Sequence, residues 1–346
     1  MATSVNNPAW MHWVERLMEG APRQAHCAAF PPDRFYCLLD ELPLHLVPQC
    51  GLAARLDDTG QEPLFLNPDC IVCDDGDLPH ALVSQQGLLH SFALQGSMVW
   101  VPDASGNLLP FWLGPRLDAV VRESGLREPV TSTLDRGARR LLRTAGILVG
   151  ADGGSLHRRR REAALAESAA MFQRKGYAPL GELIHPFHVA ALRRYYRCRI
   201  RSGAIPLGDG QSLRRYVAYN DPVARFFHRQ ICGVLSRVAG EELKPSYVYL
   251  ASYLAGAELK KHTDREQCEF SVTLCLDFSP EPGLETPWPI RLDTPSGTTT
   301  VYQAIGDGLA YRGTRLPHYR EALGQGQTST SIFFHYVPVD FAGPLD

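Results

Sequence analysis

The chain has 346 residues, 45% of them hydrophobic and 21% charged, with a formal net charge of −2 at pH 7. That length supports a sizeable buried core and room for two domains, and the composition excludes a disordered chain. The near-neutral charge excludes the global basic field of a nucleic-acid binder, and no apolar run approaches the length of a membrane span.

Nine cysteines are an odd number and follow no disulfide framework. No charged stretch followed by an apolar run opens the chain. Together these predict a cytoplasmic protein, with neither nucleic acid nor membrane as a partner.

In chain order, residues 1 to 20, with Trp10 and Trp13, predict a short amphipathic helix. From about 35 to 115, short runs of β-formers recur at Leu44–Val47, Leu64–Leu66, Cys70–Val72, Ser97–Val101 and Leu109–Leu113. Asp103 to Asn107 form a turn between the last two. Cys70 and Cys73 make a single CxxC, which without two further ligands reads as core cysteine. From Leu117 to about Val149 the pattern turns helical, most regularly over Asp135–Val149. Ala151-Asp152-Gly153-Gly154-Ser155 breaks it. The domain boundary is placed there, giving a β-rich N-terminal domain over 1–150 and a second domain over 151–346.

The run Arg158 to Arg161, flanked by Glu162 and Glu167, reads as a solvated helix face. A second basic cluster, Arg193, Arg194, Arg197, Arg199 and Arg201, is interleaved with Tyr195 and Tyr196 and reads as helix-surface charge or as a grip on anionic or planar groups.

Beyond residue 265 no helical period remains. Glu269–Phe278 is a strand. Gly306-Asp307-Gly308 makes a turn into a short strand reaching Gly313, and a loop leads to Leu316-Pro317-His318-Tyr319-Arg320. Gly324-Gln325-Gly326 turns into a last strand, Thr328–Val337. Successive strands punctuated by Gly and Pro predict an all-β barrel or jelly roll.

His262-Thr263-Asp264 and the later His318 carry the chemistry. Residues i and i+2 of a strand project to one side, so His262 and Asp264 are expected to reach one metal from one strand. Two imidazoles and a carboxylate occupy one face of an octahedral metal and leave three positions open. That suits a non-haem Fe(II) binding an organic cosubstrate and O2 together.

The stretch from about Gly176 to Phe341 resembles the Fe(II)/2-oxoglutarate-dependent dioxygenase superfamily, in its prolyl-4-hydroxylase-like branch. The matching pieces are Tyr249 to Tyr253, Leu259 to Arg265, the strand through Asp277, Gly306-Asp307-Gly308, and His318 before the last strand. The resemblance implies an α+β chain whose oxygenase domain is a double-stranded β-helix (jelly-roll or cupin-like) with flanking helices. It also implies Fe(II), 2-oxoglutarate and O2 as cofactor and cosubstrates, with His262, Asp264 and His318 as metal ligands. The activity implied is hydroxylation of an unactivated C–H bond of a small metabolite, an amino-acid-like compound or a peptide. The presence of Asp264 argues against a halogenase.

One departure from the resemblance matters. Members place an Arg or Lys about ten residues after the distal histidine, on the final strand, to clamp the distal carboxylate of 2-oxoglutarate; here that position is Thr328, and no basic residue lies on the strand. Arg320, two residues from His318, is the first replacement, against a surface salt bridge with Glu321. Arg312 and Arg315 are alternatives, and hydroxyls of Tyr253, Thr328 or Ser331 complete the clamp. Arg265 is expected in a salt bridge pointing away from the metal, His335 in the core or behind the ligands, and Trp288 in a loop that covers the substrate. Two other readings stand beside the hydroxylase: an iron oxygenase that does not use 2-oxoglutarate, and a degenerate barrel serving as a binding module. For the N-terminal part, substrate recruitment or a homodimer contact is the expected role.

Overall fold

The computed structural model describes residues 30–48, 62–103, 106–123, 129–130 and 134–345. The helix predicted over residues 1 to 20 lies outside these.

The N-terminal elements are β1 (Phe65–Leu66), β2 (Ile71–Cys73), β3 (Met98–Pro102), β4 (Leu108–Trp112), helices α1 (Pro115–Glu123) and α2 (Arg136–Thr144), and β5 (Leu148–Val149). β2, β3 and β4 form an antiparallel sheet, and Asp103 closes the β3–β4 turn by accepting from the Asn107 backbone at 2.9 Å. Two expectations are corrected here. Leu44–Leu46 is a 3-10 turn, not a strand. The helical pattern expected through Val149 stops at Thr144, because Gly146 takes a positive φ of 77° and Leu148 and Val149 pair with β1 instead.

The second half runs α3 (Ser155–Lys175), β6 (Tyr177–Leu180), α4 (Pro186–Arg201), β7 (Arg215–Tyr219), α5 (Pro222–Ala239), β8 (Leu243–Leu254), β9 (Leu259–His262), β10 (Phe270–Ser279), β11 (Ile290–Thr294), β12 (Gly297–Val301), β13 (Gly308–Arg312), β14 (His318–Arg320) and β15 (Thr328–Pro338). Six strands make one antiparallel sheet in the order β6-β13-β10-β15-β8-β7; four make a second, β12-β11-β14-β9. The sheets face each other. Tyr177, Leu309 and Tyr311 from the larger pack with Ile290 and Leu292 from the smaller. The strands expected over Glu269–Phe278, Gly308 to Gly313 and Thr328–Val337 are β10, β13 and β15.

The larger sheet is buried on both faces, which is why β10 and β15 read as nearly unbroken apolar runs. α4 and α5 each begin with Pro at the first turn behind a side-chain cap, His185 and Asp221 respectively. Arg158, Arg159 and Arg160 of α3 are exposed, as expected of a solvated face, whereas Arg161 is half-buried and donates to Gly181 O at 2.6 Å.

The buried residues before and after residue 150 form one continuous cluster. Phe35 meets Tyr195 and Phe227 edge to face at 6.1 and 5.7 Å, and His188 of α4 bonds the Pro110 carbonyl at 2.8 Å. The described part of the N-terminal half therefore packs as a layer on α4 and α5, without a separate apolar core of its own.

Of the α4 arginines only Arg201 is exposed as surface charge; the other four are held by partners. Arg193 is fully buried and bonds Asp277, Glu281 and the Leu46 carbonyl, while Arg197 also binds Asp277 and Arg199 binds Asp221. Arg194 lies over the Tyr36 ring at 3.5 Å. Arg193, Arg194 and Arg197 tie the N-terminal layer and β10 to α4, and Arg199 ties the start of α5 to it.

Candidate metal centre

His262, at the end of β9, is the cross-strand partner of His318 on β14. In each imidazole Nδ1 faces a backbone carbonyl two residues back: Lys260 O at 2.7 Å and Leu316 O at 3.0 Å. A carbonyl only accepts, so Nδ1 carries a hydrogen; Nε2 can then share a proton with Asp264 or, in the neutral ring, offer its lone pair to a metal. Both Nε2 atoms lie 3.5 Å from Asp264 Oδ1. The ligand atoms of the three residues fall within 4.8 Å of one another, a set that could hold a metal ion.

His262 and Asp264 do not share a strand, contrary to what their spacing predicts. β9 ends at His262, and Asp264 sits in the following loop. Its backbone N–H donates to Gly313 O at 2.9 Å, so the end of β13 places the carboxylate. Burial pushes the Asp264 carboxyl up, but bonding to His262 and His318 outweighs it and holds the group well below the usual carboxylate range. The bond to Asp264 raises the His262 pKa in turn. An anionic oxygen between two imidazoles is an arrangement in which a divalent cation can replace shared protons.

Behind the carboxylate lies a network that the sequence did not reveal. Ser271 on β10 donates to Asp264 Oδ2 at 3.0 Å and stands 2.9 Å from Nδ1 of His335 on β15. His335 thus falls behind the ligands, as expected of it, and burial takes its pKa down to about 4, leaving it neutral. A Cβ on Gly313 would lie 2.4 Å from Asp264 Oδ2. Only the period-2 alternation of β10 could have flagged Ser271.

Arg320 shares the inner face of β14 with His318 and is buried. It does not pair with Glu321, which binds Arg291. Nη1 donates to Trp288 O at 2.5 Å, Nη2 donates to Gln303 Oε1 at 3.0 Å, and Nε has no partner. Among the described residues no carboxylate pairs with Arg320, and burial lowers its pKa. Gln303, which also donates to Thr273 O at 3.0 Å, links Arg320 to β10. Thr273 is fully buried on the inner face, two residues from Ser271, and its hydroxyl is also without a partner.

Tyr253 and Ser331 reach the same interior. Tyr253 meets the Trp288 ring at 5.1 Å, and the Arg215 guanidinium lies 5.9 Å from its ring centre. Ser331 pairs across from Cys275, a residue whose thiol feels the Arg320 charge. Trp288 is buried, lies under the Arg320 guanidinium at 4.8 Å and donates its indole N–H to Glu321 O at 2.6 Å.

Three expected residues are not brought in. Arg312 follows inward-facing Tyr311, so it points out and stacks on Phe172 and Phe270. Arg315 is exposed near Glu269. Thr328 has the outward parity of Thr330 and lines a cavity against α4 with Arg193 and Arg197. Arg265 lies over the Tyr247 ring and forms no salt bridge among the described residues. The CxxC residues are half-buried Cys70 and buried Cys73, and neither joins a metal-capable cluster among the described residues.

No family model and no curated protein matches the chain. Solved structures do. The epimerase SnoN in complex with Fe3+, alpha ketoglutarate and nogalamycin RO is 15% identical, with a TM-score of 0.42 over 54% of this chain and 94% of that one. An oxidoreductase of the 2OG-Fe(II) oxygenase family from Burkholderia pseudomallei is 13% identical, with a TM-score of 0.39 over 50% and 89%. A Pseudomonas putida prolyl-4-hydroxylase is 16% identical, with a TM-score of 0.39 over 49% and 98%. Each covers about half of this chain.

Proposed function

We propose that this chain is an Fe(II)- and 2-oxoglutarate-dependent oxygenase built on a double-stranded β-helix, acting at an unactivated C–H bond of a small metabolite or peptide side chain. Arg320 carries the reading. A buried guanidinium without a carboxylate is costly, and an orphaned Nε and an orphaned Thr273 hydroxyl on the same inner face fit a dicarboxylate that enters from solution.

His262, Asp264 and His318 would hold the metal on one side and leave the other for ligands. Arg320 would receive the distal carboxylate, with Thr273 and Ser331 hydroxyls beside it and Gln303 and the Trp288 carbonyl fixing the guanidinium plane. When bound, iron and 2-oxoglutarate together supply the oxidising power for C–H cleavage, with succinate and CO2 as coproducts. The protein orients the cosubstrate and keeps water from the inner face, which Tyr253, Tyr311 and Trp288 wall off.

An unpaired Arg320 weighs against an iron oxygenase that dispenses with 2-oxoglutarate, and three convergent ligands weigh against a degenerate barrel. The test is anaerobic Fe(II) titration with and without 2-oxoglutarate, following the visible charge-transfer band. A band in the wild type, and about a hundredfold weaker 2-oxoglutarate binding in Arg320→Met with iron affinity kept, is the expected result. Iron binding without a band removes 2-oxoglutarate from the reading, and no iron binding removes the oxygenase.

A further inference from the structure

Asp264 presents its two oxygens to different surroundings. Oδ1 lies 3.5 Å from both Nε2 atoms, whereas Oδ2 turns away and accepts from Ser271. We propose that Ser271 and His335 are a positioning pair that keeps Asp264 a one-oxygen ligand, so that three coordination positions stay open. This rests on the reading of His262, Asp264 and His318 as a metal site.

The hydrogen count supports the pairing. Ser271 has one hydroxyl hydrogen and four polar neighbours: Asp264 Oδ2 at 3.0 Å, Cys268 O at 3.2 Å, His335 Nδ1 at 2.9 Å and the hydroxyl of cross-strand Tyr311, which can donate to Oγ. The carboxylate and the carbonyl can only accept. If His335 Nδ1 carried a lone pair, it would compete for the same hydrogen. With the hydrogen on Nδ1, His335 donates to Ser271 Oγ and leaves the hydroxyl free to donate to Oδ2. Both residues are buried, Ser271 fully, so water does not substitute for either. Gly313 closes the remaining side, because any side chain there would collide with Oδ2.

The consequence is a matter of positions. A carboxylate free to swing can bind a metal through both oxygens and take a fourth position. Two would then remain, one fewer than a chelating keto acid and O2 require together. The pair is thus a device for vacancy as much as for affinity.

Binding of Co(II) by calorimetry, together with its visible spectrum, tests this without turnover. Ser271→Ala should weaken Co(II) binding roughly ten- to a hundredfold and change the spectrum, as expected for loss of an outer partner. His335→Asn keeps an N–H near the Nδ1 position and should bind like the wild type; His335→Leu should behave like Ser271→Ala. That order separates positioning from packing, and the His335 pair decides the matter if Ser271→Ala does not fold. Wild-type affinity and spectrum in both Ser271→Ala and His335→Leu overturn the proposal, as does His335→Asn falling with His335→Leu. A wild type that binds no Co(II), or one whose binding survives His262→Ala, overturns the metal site itself and this inference with it.

Discussion

His318 stands opposite His262 across the β14–β9 pair with ring centroids 4.4 Å apart, yet its side chain is 2% exposed against 40% for His262. Equal partners in the proposed metal site are therefore unequal partners in the fold. Either residue changed to Ala should abolish Fe(II) binding. His262→Ala should leave stability within about 0.5–1 kcal/mol, whereas His318→Ala loses contacts to Tyr311 and should cost about 1–3 kcal/mol. Urea unfolding of the two metal-free variants measures the difference; equal losses would contradict it.

The strands of the second half and the cluster of His262, Asp264 and His318 were legible because both are written locally, in alternation and in residue type. The backbone position of Asp264 was not. Its i, i+2 spacing from His262 suggested one strand, but the contact that fixes it comes from Gly313, far along the chain. Counting residues after His318 pointed to Thr328, while parity decides which side chains reach the interior, and Ser331 has the parity that Thr328 lacks. Arg312 fails by the same rule. The N-terminal half was least legible, because its burial depends on surfaces of α4 and α5 that no local pattern announces.

Gly313 leaves space that Asp264 needs. An added Cβ would lie 2.4 Å from both Asp264 Oδ2 and Cys268 O. Gly313→Ala should therefore displace the Asp264 loop, abolish or sharply weaken Fe(II) binding, and cost about 1–3 kcal/mol of stability. Calorimetric metal titration and thermal unfolding of the variant would check both; tight binding would mean that the loop yields without moving its carboxylate.

His228 gives a pH dependence of definite sign. It is buried on α5, its Nε2 donates to the His335 carbonyl at 2.8 Å, and burial takes its pKa from 6.5 down to about 3. Below about 6.5 the unfolded chain takes up a proton that the folded chain refuses. This group's contribution is therefore constant above that pH and falls as pH drops towards about 3, by up to about 1.4 kcal/mol per unit. Between pH 7 and 5 the loss from His228 should be about 2 kcal/mol. His228→Gln keeps a donor near the Nε2 position without titrating, so urea unfolding of the variant should show a drop smaller by that amount. An identical drop would assign the pH dependence elsewhere.

Arg193 should matter to the fold far more than to the site. Its guanidinium is fully buried and donates to Asp277 Oδ1 at 3.1 and 2.9 Å, to Glu281 and to the Leu46 carbonyl, so a single side chain ties β10 and the N-terminal layer to α4. Arg193→Ala would strip a buried carboxylate of one partner, and a broken buried pair costs about 3–5 kcal/mol. Arg197 binds the same carboxylate at 2.5 Å but is 38% exposed. Water can replace it, and Arg197→Ala should cost about 1 kcal/mol or less. Both arginines face the outer side of the larger sheet, away from His262, Asp264 and His318. At temperatures where each variant remains folded, Fe(II) affinity should match the wild type. Thermal unfolding combined with metal titration separates the two effects, and a loss of metal binding in folded Arg193→Ala would mean that the outer layer and the inner face are coupled through β10.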